Sequence, residues 1–452
     1  MEEQFKRDHT NDRSSLGRNG QVTAESAAAD IADYTQKSGA HARPPRPPLR
    51  PASLSRVVTA GRLGGRTCLA SGATRLDPTQ RGGEALMLQR KLRAKLAGQD
   101  EAIDEIVNIY QMYLAGLTTR NRPVGSLLFL GPTGTGKTRT VEALAESLVG
   151  VAGAVIKVDC GEFQHSHEIA KLVGSPPGYL GHRETHPLLS QEALSQFHTA
   201  RVKLSFVLFD EIEKASDALW NLLLGILDKA TLTLGDNRRV DFSNSLIFLT
   251  SNLGAREISS IFHPALGYGA LPGAAQTSSP EELVQRMRRT AIEAARRKFT
   301  PEFINRLGKL VVFRPLTEPD LQRIVHIELG RLQDHIFTSS AAGSFLLKPT
   351  DAARRRLLLE GTDARYGARH LKRAIEQLIV QPLSNLLASG QIRMGDHVEI
   401  DDEGEGPLHF SLVGNGLSVQ EMSEAAGPSA RPLMQLAVAL GESPGTNGIN
   451  PG

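Results

Sequence analysis

The sequence predicts an α/β fold: a phosphate-loop domain on a central parallel sheet, followed by a smaller C-terminal domain of helices with a few strands. Three observations carry that expectation. An apolar run, Ser126-Leu127-Leu128-Phe129-Leu130, leads straight into Gly131-Pro132-Thr133-Gly134-Thr135-Gly136-Lys137-Thr138 and then into a helix-like segment over 141–148. That is the order strand, glycine-rich loop, helix, and it fits G-x-x-x-x-G-K-[ST]. A second run, 205–209, is almost wholly apolar with β-branched and aromatic members, as expected of a strand covered on both faces, and it ends in Asp210-Glu211. A third apolar run, 245–249, ends in Thr250-Ser251-Asn252.

Each of these strand ends carries chemistry. Gly131, Gly134 and Gly136 let the loop turn tightly, so that successive N–H groups point at phosphate oxygens. Residues Gly131, Pro132, Thr133, Gly134, Thr135, Gly136, Lys137 and Thr138 are therefore read as a cradle for the phosphates of a nucleotide. Lys137 reaches the β- and γ-phosphates as a point charge, and Thr138 offers a hydroxyl to Mg²⁺. The following helix aims its positive end at the same anion. Two adjacent carboxylates at the end of a buried strand are costly unless used, and in open α/β sheets that end is where ligands bind. Asp210 is assigned to Mg²⁺ and Glu211 to polarising the attacking water. Asn252, at the tip of the neighbouring strand, is placed to position that water.

The rest of the chain arranges itself around this centre. Residues 1–83, rich in Ser, Ala, Gly, Arg and Pro, read as disordered: a solvated tail or a docking arm for an acidic partner. From residue 84, apolar residues recur at helical spacing, and a second amphipathic segment follows Gly98-Gln99. Ile103 there is either part of an ordinary surface helix or an apolar contact in a lid over the adenine; spacing alone does not choose. A short strand is expected at 154–158. The stretch 174–182, with two prolines and three glycines, is a loop that displays Tyr179 and Leu180 and so a candidate contact surface. Residues 217–227 read as a helix, 254–280 as a long loop and 281–298 as an Arg-rich helix. Thr300-Pro301 starts a short helix ending near Arg306, ahead of a strand at 310–313. Beyond residue 314 come a helix from Thr317, a long amphipathic helix to about residue 387, and a strand pair at 395–400 and 408–413. The segment from 414 reads as a flexible tail, with an apolar helical stretch at 433–440.

Composition narrows the class. With 452 residues, two or three domains plus tails are expected, and 40% hydrophobic with 22% charged residues is ordinary for a globular core. The net charge of +3 is too small to argue for nucleic acid. The two cysteines, Cys68 and Cys160, form neither a metal-ligand spacing nor a disulfide framework, which points to a reducing, cytoplasmic setting. No apolar run approaches the roughly 20 residues that span a bilayer. The N-terminus lacks the apolar core of a secretory signal, and the Arg-rich, acid-poor stretch between Ala42 and Leu76 begins too far in for an organelle transit peptide.

Taken in order, these motifs resemble the AAA+ ATPases, and within them the Clp family of protein unfoldases, in particular the second ATPase module of ClpA, ClpB and ClpC. The resemblance covers residues 84–413 and rests on six stretches: the phosphate loop, 174–182, Phe209-Asp210-Glu211-Ile212-Glu213-Lys214-Ala215, Thr250-Ser251-Asn252-Leu253-Gly254, 299–307 and 366–373. It implies that Lys137 and Thr138 are Walker A, Asp210 and Glu211 Walker B, and Asn252 sensor 1. It further implies that Arg306 is an arginine finger acting on ATP in a neighbouring subunit, and Arg369 a sensor 2 arginine at the γ-phosphate. Tyr179 would be the aromatic that grips a translocating polypeptide, with Leu180 beside it. The implied assembly is a homo-hexameric ring acting on protein substrates, with no membrane or nucleic-acid partner. Leu266-Gly267-Tyr268 lies where some relatives dock a ClpP-like peptidase.

Three departures stand out. The family's amino-terminal adaptor-binding domain, first ATPase module and coiled-coil middle domain have no counterpart ahead of residue 84. Leu234-Gly235-Asp236-Asn237-Arg238 replaces the usual Asp-Gly-x-Gly-Arg, and Thr185-His186 replaces a glycine pair. Against the unfoldase reading stand a nucleic-acid motor, which calls for basic residues where the chain has Tyr179 and Leu180, and a non-catalytic scaffold, which does not call for intact Lys137, Asp210, Glu211 and Arg306.

Overall fold

The computed structural model describes residues 76–119, 121–175, 187–262, 280–338, 344–362, 368–404 and 406–416. Five parallel strands form the main sheet in the order β2-β3-β6-β1-β7: β1 (Gly125–Leu130), β2 (Ile156–Asp159), β3 (Ser205–Asp210), β6 (Ser245–Ser251) and β7 (Lys309–Val312). Between β3 and β6 in sequence, β4 (Thr231–Thr233) and β5 (Arg239–Asp241) make a separate antiparallel hairpin.

Strand alternation sorts the apolar side chains into two cores. Leu127, Phe129, Phe206, Leu208, Leu246 and Phe248 face one side, where α1 (Gly83–Lys95), α2 (Asp100–Leu114) and α3 (Lys137–Val149) pack. Phe129 lies between Phe248 and Phe313, with ring centroids 5.6 and 4.8 Å away. Leu128, Leu130, Val207, Phe209, Ile247 and Leu249 face the other side. That side is covered by two short helices, α4 (Ala170–Val173) and α5 (Gln191–Ser195), then by α6 (Asp217–Lys229), α7 (Ala255–Phe262), α8 (Pro280–Lys298) and α9 (Pro301–Arg306). A sheet buried on both faces needs nearly continuous apolar strands, which is why these runs lack the polar alternation of a half-exposed sheet. At α9 the Thr300 hydroxyl accepts the Phe303 amide at 3.3 Å, and Pro301 fills the first turn.

The smaller domain has its own core around Val325, Leu329, Leu357, Leu371, Ile379 and Ile400. Its elements are α10 (Glu318–Thr338), β8 (Leu346–Pro349), α11 (Asp351–Gly361), α12 (Arg369–Ile375), α13 (Gln381–Ala388), β9 (His397–Asp401) and β10 (His409–Gly414). A π segment, Glu376–Val380, joins α12 to α13 just ahead of Pro382. Proline has no N–H to give and crowds the carbonyl four residues back, so the helix widens there instead of closing regular bonds.

Two sequence expectations need correction. Residues 255–262 are helix α7, not loop: Ile258 is fully buried against α8, which fixes the segment as an amphipathic turn pair despite the small residues after it. The terminal strand pair is a three-stranded sheet, because β8 adds in parallel to β9. The altered stretch Leu234–Arg238 is the tip of the β4–β5 hairpin, with Asn237 at φ 66°. Asparagine tolerates that left-handed conformation better than most residues. The segment 433–440 lies outside the described residues. Among the described residues no helix is long and apolar enough to cross a membrane.

Candidate active site at the carboxyl ends of the central strands

Parallel pairing brings the ends of β1, β3 and β6 side by side, and the loops that leave them meet in one cleft of about 310 Å³. The loop from β1 begins at Gly131, φ 141°, where a Cβ would lie 2.5 Å from the Phe313 carbonyl oxygen. Only glycine fits so close to that backbone. Gly136, φ 97°, turns the chain into α3, so Lys137 and Thr138 open the helix.

Lys137 is 8% exposed. Its ammonium donates to the Gly131 carbonyl at 2.7 Å, the Pro132 carbonyl at 2.8 Å and Asn252 Oδ1 at 2.9 Å. Burial lowers its pKa from 10.5 to about 8, although the carboxylates of Asp210, Glu213 and Glu211 pull it upward; Arg369 pushes it further down. Thr138 Oγ1 donates to Asp210 Oδ2 at 3.2 Å. Asp210 also accepts the Thr250 hydroxyl on its other oxygen, and Thr250 in turn accepts the Glu211 amide at 3.1 Å. One threonine at the end of β6 thus fixes both acids at the end of β3.

Glu211 sits at φ 56°, a left-handed position uncommon for a residue with a side chain. That turn directs its carboxylate toward β6, where Asn252 Nδ2 donates to Oε1 at 3.3 Å, while Lys214 pairs with Oε2. Asn252 therefore bridges Lys137 and Glu211 through the two ends of one amide. Its own backbone N–H donates to Glu213 Oε1 at 3.0 Å, and Glu213 Oε2 is buried without a partner among the described residues. A hydroxyl and a carboxylate side by side, Thr138 and Asp210, suit Mg²⁺, which takes one or two protein oxygens and completes its shell with water and phosphate. No cluster of three or more His, Cys, Asp or Glu side chains forms a metal cage among the described residues.

The small domain closes the cleft. Arg369, first residue of α12, lines it, and the Ala368 amide donates to the Gly134 carbonyl at 3.3 Å. Arg306 does not line it; at the end of α9 it pairs with Asp228 at 2.7 Å and Glu302 at 2.9 Å, its side chain 29% exposed. Ile103 corrects an expectation. It is 2% exposed in the core beneath α2 and is not part of the cleft wall. The apolar wall comes from Leu96 and Ala97, just before α2, and from Leu316, Ile324 and Ile327 of the small domain. Helix α2 turns its apolar stripe inward to the sheet, leaving the preceding junction to face the cleft. Tyr179, Leu180 and Leu266-Gly267-Tyr268 lie outside the described residues. Just ahead of the 174–182 stretch, Val173 is held by the hairpin: the Gly235 amide donates to its carbonyl at 2.8 Å. Sequence reasoning passed over Thr250 and Gln99 as site residues, although a hydroxyl at the tip of the strand beside Asp210 was a usable signal for the first.

The AAA domain family, described as the Cdc48 subfamily, matches residues 122–310, and the C-terminal D2-small domain of ClpB protein matches residues 316–400. Residues 122–310 are an AAA domain, and 316–400 a ClpB-type small domain. This pair is homologous to "ATP-dependent Clp protease ATP-binding subunit ClpC" of Staphylococcus epidermidis, 37% identical over 332 residues, covering 74% of this chain and 38% of that protein. ClpC of Staphylococcus saprophyticus is 36% identical with the same coverage. Among solved structures, the S. cerevisiae Hsp104–ADP complex matches with a TM-score of 0.59 and 28% identity over 74% of this chain and 52% of that one. A closed state of Hsp104 with ATPγS and FITC casein matches with a TM-score of 0.58 and 25% identity, covering 73% and 52%. The AAA domain and its small domain thus span well under two thirds of the length of these relatives.

Proposed function

We propose that the chain binds ATP in the cleft and hydrolyses it to remodel protein substrates, working as a homo-hexameric unfoldase. The observation that carries this is the convergence of Lys137, Thr138, Asp210, Glu211 and Asn252 at the ends of three adjacent strands. In this reading the loop amides and Lys137 hold the phosphates, and Lys137 exchanges loop carbonyls for phosphate oxygens. Thr138 and Asp210 would hold Mg²⁺, which would supply positive charge against the phosphates. Glu211 accepts the proton of the attacking water, with Asn252 fixing its carboxylate through the hydrogen bond that its Nδ2 donates to Oε1. Arg369 contributes from the small domain, and Arg306 acts across a subunit boundary, as its place outside the cleft of its own chain supports.

Substrate handling is assigned to Tyr179 and Leu180, and a ClpP-like peptidase contact to Leu266-Gly267-Tyr268. Two similarities support this: one relative is an ATP-binding subunit of a Clp protease, and another, Hsp104, has a solved structure with casein. The decisive experiment uses the full chain. Glu211→Gln should keep nucleotide binding within about threefold of wild type and lower turnover at least 100-fold, the scale expected for a general base. Tyr179→Ala should spare the ATPase and stop unfolding of a tagged reporter protein. Normal unfolding by the Tyr179 variant, or ATPase stimulated by DNA in place of unfolded protein, would sink the unfoldase reading.

A further inference from the structure

Between α1 and α2 lies a junction, residues 96–99, that touches both the phosphate loop and the start of the small domain. Its centre is Gln99, 6% exposed. The Gln99 amide nitrogen donates to the Thr135 carbonyl of the phosphate loop at 3.1 Å and to the Arg314 carbonyl at 3.0 Å. Its oxygen accepts the Arg314 amide at 3.3 Å. Two carbonyls on one side and an N–H on the other leave the amide a single orientation, with both donors and the acceptor in use. No other residue type of this length supplies two donors and an acceptor in a plane.

Arg314 is where the main chain leaves the large domain. Its guanidinium makes a bidentate pair with Asp320 at 2.7 and 3.2 Å, and Asp320 also accepts the Thr317 amide at 2.9 Å and hydroxyl at 2.7 Å. Burial pushes the Asp320 carboxyl up, but these Thr317 and Arg314 contacts outweigh it and hold it below the usual range. Asp320 sits so close to Gly98, φ 74°, that a Cβ there would lie 2.7 Å from its carboxyl carbon. Farther along α10, Arg323 and Arg331 donate to the Arg93 and Lys95 carbonyls at the end of α1, at 2.5 and 3.4 Å. The first helix of the small domain is therefore held to the end of α1 and to the junction, and the junction meets the phosphate loop through Gln99; the Ala368 amide on the Gly134 carbonyl is a separate, longer contact between that loop and the small domain.

We infer that Gln99 is a positioning residue that ties the phosphate loop to the hinge at Arg314, so that the state of the loop sets the orientation of the small domain and of Arg369. The inference rests on the ATPase reading above. A tie of this kind predicts a separation of effects. Removing it leaves the phosphate contacts in place but lets the small domain drift, so binding survives and turnover falls.

The test uses the full chain with Gln99→Met, which keeps length and removes all three hydrogen bonds. Labels on cysteines introduced at exposed Val151 and Leu359, with Cys68 replaced by serine, read the distance between the two domains. The expected result is an ATP affinity within about threefold of wild type, kcat at least tenfold lower, and an inter-domain distance that is broader than in wild type and no longer shifts with nucleotide. A kcat within twofold of wild type, or equal losses in affinity and kcat with the wild-type distance shift intact, overturns the inference. If the wild-type chain itself proves inert toward ATP, that failure belongs to the ATPase reading; the distance distribution without nucleotide then decides, an unchanged width in the variant overturning the tie and a broader one supporting it. Gln99→Asn, one methylene too short to span both carbonyls, gives the same comparison should the methionine variant not fold.

Discussion

Replacing Lys137 by Met probes the electrostatics of the cleft in the absence of any nucleotide. Lys137 is 8% exposed, and burial holds its ammonium at about 8 against 10.5 for a free lysine. That displacement corresponds to about 3 kcal/mol, at about 1.4 kcal/mol per pH unit. The folded value lies below the unfolded one, so between about pH 8 and about pH 10.5 the unfolded chain binds more protons and stability rises with pH. Below that window both states carry the charge, and the folded state bears the whole cost; above it neither does. The unfolding free energy of wild type minus that of the variant should therefore move toward wild type by about 2 kcal/mol between about pH 7 and about pH 9.5. The three hydrogen bonds from Lys137 to Gly131, Pro132 and Asn252, worth about 1 kcal/mol each, oppose the burial cost at neutral pH. The slope with pH, and not the sign at one pH, is accordingly the diagnostic. Urea unfolding can be followed through Trp220, the only tryptophan, which packs against Phe299 at 5.6 Å. A difference that stays flat with pH, or moves toward the variant, refutes the reasoning.

Other outcomes follow from the same geometry. Nucleotide binding near pH 8 should take up about half a proton per chain as phosphate raises Lys137, and almost none near pH 6.5; calorimetry in buffers of different ionisation heat reads this directly. Thr250→Val removes the hydroxyl shared by Asp210 and the Glu211 amide, and should cost about 2–3 kcal/mol in urea while lowering kcat more than it weakens nucleotide binding. Phe129→Ala opens a hole between Phe248 and Phe313 beneath the phosphate loop and should cost about 3–5 kcal/mol, measured the same way.

The central strands were legible because a doubly covered parallel sheet permits little but apolar residues, and 205–209 and 245–249 obey that constraint. The phosphate loop was legible because Gly131 and Gly136 serve backbone geometry that other residues resist. Ile103 misled because an inward-facing isoleucine and a ligand-facing one have the same spacing; only the packing of α2 on the sheet separates them. Helix α7 was hidden by the Gly- and Pro-rich residues that follow it, and β8 by its shortness, since a four-residue strand becomes recognisable only when β9 pairs with it. Gln99 was illegible for a different reason. Its partners Thr135 and Arg314 lie 36 and 215 residues away, and it meets both through backbone groups, which leave no trace in side-chain identity.

The position of Arg306 bears on why such a site would be divided between chains. Its two ion pairs, to Asp228 and Glu302, are partly exposed, and pairs of that kind contribute about 1 kcal/mol or less each. Releasing the guanidinium toward a phosphate therefore costs at most about 2 kcal/mol. An arginine supplied to a transferring phosphoryl group accelerates the reaction by about 10³–10⁵, or roughly 4–7 kcal/mol. The balance, on the proposed reading, favours release in the transition state of a neighbouring cleft, and it favours the carboxylates when no phosphate is near. On the proposed reading, a lone subunit holds nucleotide without the cation that speeds its cleavage, and turnover becomes a property of the seam between chains.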